Sequence, residues 1–416
     1  VTAAFVPAKH RDDPALLACG DAALRSLTAV LDAGGTEPDG PLASARALAG
    51  AADPAALRTA VLHPLFRHWR CTLDARVKIG AGDRVSAWLE NLPRLLLAPA
   101  LLAGDDFAPV RVPLVRGDEL RVPGLPRHLL VRPGTGPSVL VSRVDGELRV
   151  ERDGVTETFP AGILAAAGLG ERRRPVLAGT PVELDATDPW VEEVLAGVNA
   201  TPSPPPYPPR DIRPVPDATR AEAVFSRAAG LIGRAWPDCL AELTTHVRLV
   251  VPFTSALMEG WTSLSHLGAI FIRAVAAGDV PDPVRFTAER LVHEAAHTRL
   301  YVLSSRTRFF AEGGQHRLLS SPLRKDARPA AGVYHAAFVL ARVAVVMARA
   351  AAVTGDDRFA ERGHECHTEF REAQDTLTAS GALSEAGTEL LEEAAAHAAS
   401  PASGRVSGLR SEGEGT

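Results

Sequence analysis

The chain has 416 residues, 46% hydrophobic and 23% charged, with 45 Lys+Arg against 50 Asp+Glu and a formal net charge of −5. That length allows two or three structural units and an ample core, so neither disulfides nor a metal is needed merely to hold the fold. Collagen, coiled-coil rod and wholly disordered chain are excluded by composition, and a nucleic-acid binder working by broad electrostatics by the net charge.

Lys9, Lys78 and Lys325 are the only lysines, so nearly all cationic residues are arginine. With abundant Ala, Gly and Pro, this is the composition of GC-rich coding. A single Arg is therefore weak evidence of function, whereas any one of only 13 histidines is stronger. Cys19, Cys71, Cys239 and Cys366 form no CxxC pair and read as buried thiols of a reducing compartment. The first 14 residues carry Lys9, His10, Arg11, Asp12 and Asp13 and no apolar h-region, so no secretory signal is expected. The apolar stretch at 336–353 is interrupted by Arg342 and Arg349 and reads as a buried helix, not a membrane span. The expected location is the cytoplasm, with no membrane or nucleic-acid partner.

In chain order, residues 14–99 place apolar side chains at helical spacing (Leu16, Leu17, Ala23, Leu24, Leu27, Leu31), broken at Gly34-Gly35 and Pro38-Asp39-Gly40. Residues 110–159 change to short alternating pieces around Val110–Val112, Leu129–Val131, Val139–Val141 and Leu148–Val150. Asp145-Gly146 supplies a tight hairpin turn, since both residues tolerate positive φ. A proline-rich linker follows at 202–216. Beyond it come a helix over 221–243, strands over 247–252 and 267–273, and helix for the remainder up to 397. The expected fold is mainly α with a small antiparallel β-sheet (α+β). Its units are helical 1–108, β-rich 109–175, metal-binding and catalytic 176–398, and a disordered tail 399–416.

The sharpest motif is His293-Glu294-Ala295-Ala296-His297. Positions i and i+4 share one helix face, so both imidazoles can address one metal ion. Asp282 caps this helix and Pro283 suits its first position. The third ligand decides the class of site. A metzincin would place His six residues after His297, where Leu303 stands, so that class is excluded. A thermolysin-like site needs a later carboxylate, for which Glu312, Glu361, Glu365 and Glu369 are available. His316, His364 and His367 are weaker histidine options. His335 opens an apolar helix, where an imidazole among small neighbours needs a partner, and the assigned metal ligands are His293, His297 and His335. Three neutral imidazoles suit zinc(II) or iron(II). With zinc, Glu294 is the general base of a peptidase. With iron, open positions accept 2-oxoglutarate and dioxygen, and Arg324 or Arg328 can clamp the far carboxylate.

The run His293-Glu-Ala-Ala-His297, then Ser321-Pro-Leu-Arg324-Lys-Asp-Ala-Arg328-Pro329 and Gly332-Val-Tyr-His335, resembles the HExxH-motif family encoded in clusters for ribosomally synthesised, post-translationally modified peptides. The likeness covers residues 268–346, less than a quarter of the chain. It implies an iron(II)- and 2-oxoglutarate-dependent oxygenase that hydroxylates a side-chain β-carbon of a precursor peptide; the chain-order reading itself expects the metal between the HExxH helix and a later helix, a placement analogous to the zincins. It implies that His293, His297 and His335 hold iron, that Arg324 or Arg328 anchors the cosubstrate, and that Glu294 orients ligands or water. The alternative is a cytoplasmic zinc peptidase with Glu294 as base.

Overall fold

The computed structural model describes Phe5 and residues 13–33, 40–78, 89–125, 127–160, 171–173, 175–202, 210–276 and 278–399. The glycine break at 34–39, most of the proline-rich linker (203–209) and the tail from residue 400 lie outside the described residues, as do residues 1–4 and 6–12.

Among the described residues the chain is mainly helical with small sheets. Helices α1 (Pro14–Ala33), α2 (Pro41–Ala51), α3 (Pro54–Val61), α4 (Pro64–Lys78) and α5 (Leu92–Ala103) come first. Strands β1 (Phe107–Pro113), β2 (Glu119–Arg121), β3 (Arg127–Leu130), β4 (Ser138–Val144), β5 (Glu147–Arg152), β6 (Val155–Pro160) and β7 (Glu171–Arg173) follow. They form two antiparallel sheets, ordered β1-β4-β5-β6 and β2-β3-β7. Asp145 and Gly146 both take positive φ, 53° and 76°, and close the β4–β5 hairpin as the sequence predicts.

The next stretch holds β8 (Glu183–Leu184), α6 (Pro189–Ala200), β9 (Arg213–Pro214), α7 (Thr219–Ala235) and α8 (Pro237–His246). The single helix expected over 221–243 is thus two. Pro237 has no amide hydrogen to donate and its ring would clash with the preceding turn, so the helix restarts there. Then come β10 (Leu249–Thr254), β11 (Gly260–Thr262), β12 (Ala269–Arg273) and α9 (Pro283–Ser304).

These strands make a mixed sheet ordered β11-β12-β10-β8, with β9 also paired to β10. β10 runs parallel to both β12 and β8, whereas β11 is antiparallel to β12. The parallel pairing suits β10, which is buried from Leu249 to Phe253, as a strand covered on both faces must be. The turn after β11 is fastened by His266, whose Nε2 lies 3.1 Å from His68 Nδ1 and whose ring stacks on Trp190.

The remaining chain is not all helical. Strands β13 (Leu318–Ser321) and β14 (Arg324–Pro329) form an antiparallel hairpin before α10 (Ala330–Thr354), α11 (Asp357–Ser380) and α12 (Glu385–Ala399).

The residues divide into two compact units. The larger contains His10–Arg227 and Leu243–Ser305; the smaller contains Ala228–Glu242, Arg306–Thr416 and the described residue of Val1–Lys9. The larger unit's core runs from the helices through the sheets and includes Trp69, Leu96, Val141, Trp190, Val251 and Phe271. In the smaller unit, α10 carries a nearly continuous buried run. Arg342 within it is ion-paired to Glu242, donates to the Phe5 carbonyl and lies between the Phe5 and Phe338 rings. By length and composition alone, Pro14–Asp32 and Ala330–Thr354 are long and apolar enough to cross a membrane; most of the second is buried, in keeping with the expected core helix. Cys239 and Cys366 are buried as expected, while Cys19 and Cys71 are half-buried.

A buried charge cluster in the larger unit ties the residue before α1 to α9. Asp13 accepts from the Ala15 amide at 2.8 Å, pairs with Arg299, and lies 3.3 Å from His246 Nε2. Burial pushes the Asp13 carboxyl up, but the His246 hydrogen bond, Arg299 and the Ala15 amide outweigh it and hold the group well below the usual carboxylate range. A depressed folded-state pKa stabilises the fold above the unfolded value, about 3.9, and this contribution is lost as pH falls below that value. Asp13→Asn should cost roughly 3–5 kcal/mol by leaving Arg299 buried without its carboxylate. Urea unfolding at neutral pH and below pH 4 measures this, and the mutant's acid limb should be shallower.

Candidate metal centre

Helix α9 forms as its sequence predicts. Asp282 Oδ1 accepts from the Val284 and Arg285 amides, each at 3.0 Å, and Pro283 occupies the first turn. Ala288, Leu291, Val292, Ala295, Ala296, Leu300 and Val302 are its buried apolar residues. The helical period then sets His293 and His297 side by side, half-buried, with ring centroids 5.1 Å apart.

Glu294, between them in sequence, is turned into the protein and is 2% exposed. Thr262 Oγ1 on β11 donates to Glu294 Oε2 at 2.8 Å. The space for the carboxylate comes from Gly260. A Cβ there would lie 2.6 Å from Glu294 Oε1 and 3.0 Å from the Phe271 carbonyl, so any larger residue would displace the carboxylate or the strand. Trp261, between these two positions, stacks on Phe271 at 4.3 Å. Burial pushes the Glu294 carboxyl up to about 7, against the Thr262 hydrogen bond and the Arg290 charge, which pull it down.

The edge strand beside α9 is therefore β11, Gly260–Thr262. The strand predicted over 267–273 is β12, interior to the sheet and paired on both sides. Thr262, Gly260 and Arg290 are the site residues that sequence reasoning missed. The turn residues around 255–260 carried no periodicity to reveal a strand, and only Arg290, one helical turn before Glu294, was legible by spacing.

The other sequence-predicted residues lie in the smaller unit. His335 sits in the second turn of α10, half-buried, and burial pushes its imidazole down to about 4, leaving it neutral at pH 7. Arg324 and Arg328 lie on β14, and the Arg328 side chain is exposed. Glu312 and His316 are exposed in and after the turn at Gly313, whose φ is 70°. Glu361, His364 and Glu365 are exposed on α11, with His367 and Glu369 partly covered.

Imidazoles at i and i+4 on α9 are the donor type that zinc(II) and iron(II) both accept. In that respect the residues fit such an ion. Among the described residues, no group of three or more His, Cys, Asp or Glu side chains is gathered as a ready metal-holding set.

No protein-family profile matches the chain, and no curated protein matches it. The resemblance to the HExxH peptide-modifying family thus stands on the motif residues themselves.

Two outcomes follow from the Glu294 pocket. A carboxyl whose folded pKa is raised to about 7 stabilises the fold fully below its unfolded value. Between about 4.3, where an unfolded glutamate ionises, and 7, that stabilisation is lost at up to roughly 1.4 kcal/mol per pH unit. Glu294→Gln should abolish this component of the stability–pH curve, measured by urea unfolding from pH 4 to 8. Thr262→Val removes the hydrogen bond that favours the ionised form, so carbon-13 NMR of labelled glutamate should find Glu294 titrating higher than in the parent chain.

Proposed function

We propose that the chain is an iron(II)- and 2-oxoglutarate-dependent oxygenase that hydroxylates a side-chain β-carbon of a ribosomal precursor peptide. The observation that carries this reading is the division of labour on α9. His293 and His297 stand together on one face, while the Glu294 carboxylate is turned away from solvent and engaged by Thr262. A hydrolytic base must reach a water beside the metal, whereas a carboxylate at 2% exposure against Gly260 and Thr262 is suited to holding the histidine helix against β11.

His293 and His297 would hold the ion, and His335 is the third ligand assigned on sequence grounds. Bound iron(II) would supply the reduction of dioxygen coupled to decarboxylation of 2-oxoglutarate, one oxygen atom entering the substrate C–H bond and the other leaving in succinate with release of carbon dioxide. The chain's own residues do the rest. Burial keeps His335 in the neutral form that can ligate. Thr262 fixes Glu294, and through it the turn of α9 that carries both histidines. Arg324 and Arg328, on β14, are the cosubstrate clamps that the motif resemblance suggests.

A zinc peptidase is the second reading, and the specific observation in its favour is β11. This strand ends the sheet order directly beside Glu294, and such an edge can align an extended peptide.

Iron-loaded protein supplied with 2-oxoglutarate, dioxygen and a candidate precursor peptide from a neighbouring gene should yield a peptide heavier by one oxygen atom and an equal amount of succinate. Mass spectrometry of intact and fragmented peptide reads both reactions. Cleavage products without the added oxygen, abolished by Glu294→Gln while zinc remains bound, would establish the peptidase instead.

A further inference from the structure

The mixed sheet leaves a second feature that the α9 histidines do not use. Strands β10 and β12 run parallel, and at their carboxyl ends a cavity of about 350 Å³ opens. The carboxyl ends of parallel strands are where α/β sheets place ligands. The volume matches the lower end of small-molecule sites. Its wall includes Arg213, Thr254, Ser255, Arg273 and Asp279, together with Asp211.

Arg273 is the residue that points to a ligand. Its side chain is only 20% exposed, and its guanidinium lies over the Phe286 ring at 5.0 Å. Among the described residues it makes no side-chain hydrogen bond. Its Nε is buried without a partner, and its ion pair to the half-exposed Glu259 is long, at 3.7 Å. Glu259 is shared with Arg290, which it approaches more closely, at 3.3 Å. A planar fork of five donors, held flat against an aromatic ring and met only by the shared Glu259 carboxylate at 3.7 Å, retains donors for a second carboxylate.

The rest of the wall carries the opposite charge. Asp211 is paired with Arg213 at 3.0 Å. Asp279 uses Oδ2 to accept from the Ala276 amide at 2.7 Å, which leaves Oδ1 for a second donor. Ser255 Oγ accepts from the Leu257 and Met258 amides, so its own hydroxyl proton remains to donate. Two arginines and two aspartates make the lining neutral overall but divided in sign. Such a lining disfavours a phosphate dianion and matches a ligand that carries both charges close together.

We propose that this cavity binds a free α-amino acid, its carboxylate on Arg273 and Ser255 and its ammonium group toward Asp279. The site is independent of the oxygenase reading and of any metal, because all of its residues belong to the larger unit and none is a proposed metal ligand.

The test is calorimetric titration of the full metal-free chain with the free L-amino acids, their N-acetyl forms, propionate and inorganic phosphate. At least one amino acid should bind, with its N-acetyl form, propionate and phosphate each about tenfold weaker or worse. Arg273→Gln should lose about tenfold or more in affinity, and Arg273→Lys, which keeps the charge but not the fork, should fall between. Thermal melts of both variants report whether they fold, and a Gln variant that fails to fold leaves the Lys variant and the N-acetyl comparison to decide. Absence of binding by every amino acid would overturn the proposal. So would equal binding by the folded Gln variant, by the N-acetyl form or by phosphate.

Discussion

The constraint on which the larger unit's site depends is the burial of one carboxylate. Glu294 leaves α9 and enters a gap that exists only because residue 260 has no side chain, and Thr262 supplies its hydrogen bond. An ionisable group at 2% exposure is costly without such a partner, so helix and edge strand are fixed to each other at this point. Since the histidines flank Glu294 in sequence, whatever fixes its carboxylate also fixes the turn that presents them. The Asp13–His246–Arg299 cluster acts on the same helix two residues beyond His297, bringing α1 and the end of α8 to bear on it. The helix that carries both histidines is thereby held at two places by buried polar contacts as well as by its apolar face, which limits how far the two rings can drift.

Much of this was legible in the sequence wherever the signal was local. The Asp282-Pro283 start of α9, the Asp145-Gly146 turn and the apolar period of α10 each depend on residues within a few positions of one another. The HExxH spacing belongs to the same class, because a helix alone brings its two histidines together. What was not legible depends on partners distant in sequence. Nothing in the local pattern of 249–254 says that its neighbour is parallel. Gly260 looks like any turn glycine until Glu294, 34 positions later, is placed against it. Arg273 and Arg290 were lost among the arginines of a GC-rich composition, although their burial distinguishes them from the exposed Arg328. The helix expected over 221–243 was misjudged for a local reason, the breaking effect of Pro237, and the β13–β14 hairpin because its strands show no apolar alternation in sequence.

The charge distribution gives the opening composition a physical meaning. A chain with net charge −5 has several arginines below a tenth exposed, and Arg94, Arg121, Arg299 and Arg342 each face a buried carboxylate. They cross-link distant segments, as Arg342 joins Glu242 and Phe5 in the smaller unit. Arg273 breaks that pattern, since its carboxylate, Glu259, is half-exposed, 3.7 Å away and shared with Arg290. In an arginine-rich protein the informative arginine is thus the half-buried one that lacks a close anion.

The central claim is that the imidazoles of α9 hold a catalytic metal ion, and metal content measures this most directly. Full-length protein isolated without oxygen should carry about one equivalent of iron per chain. His297→Ala and His335→Ala should each lose it while retaining the parent's circular dichroism. Metal-free parent protein that also refuses added iron(II) and zinc(II), or undiminished metal in His297→Ala, would contradict the account.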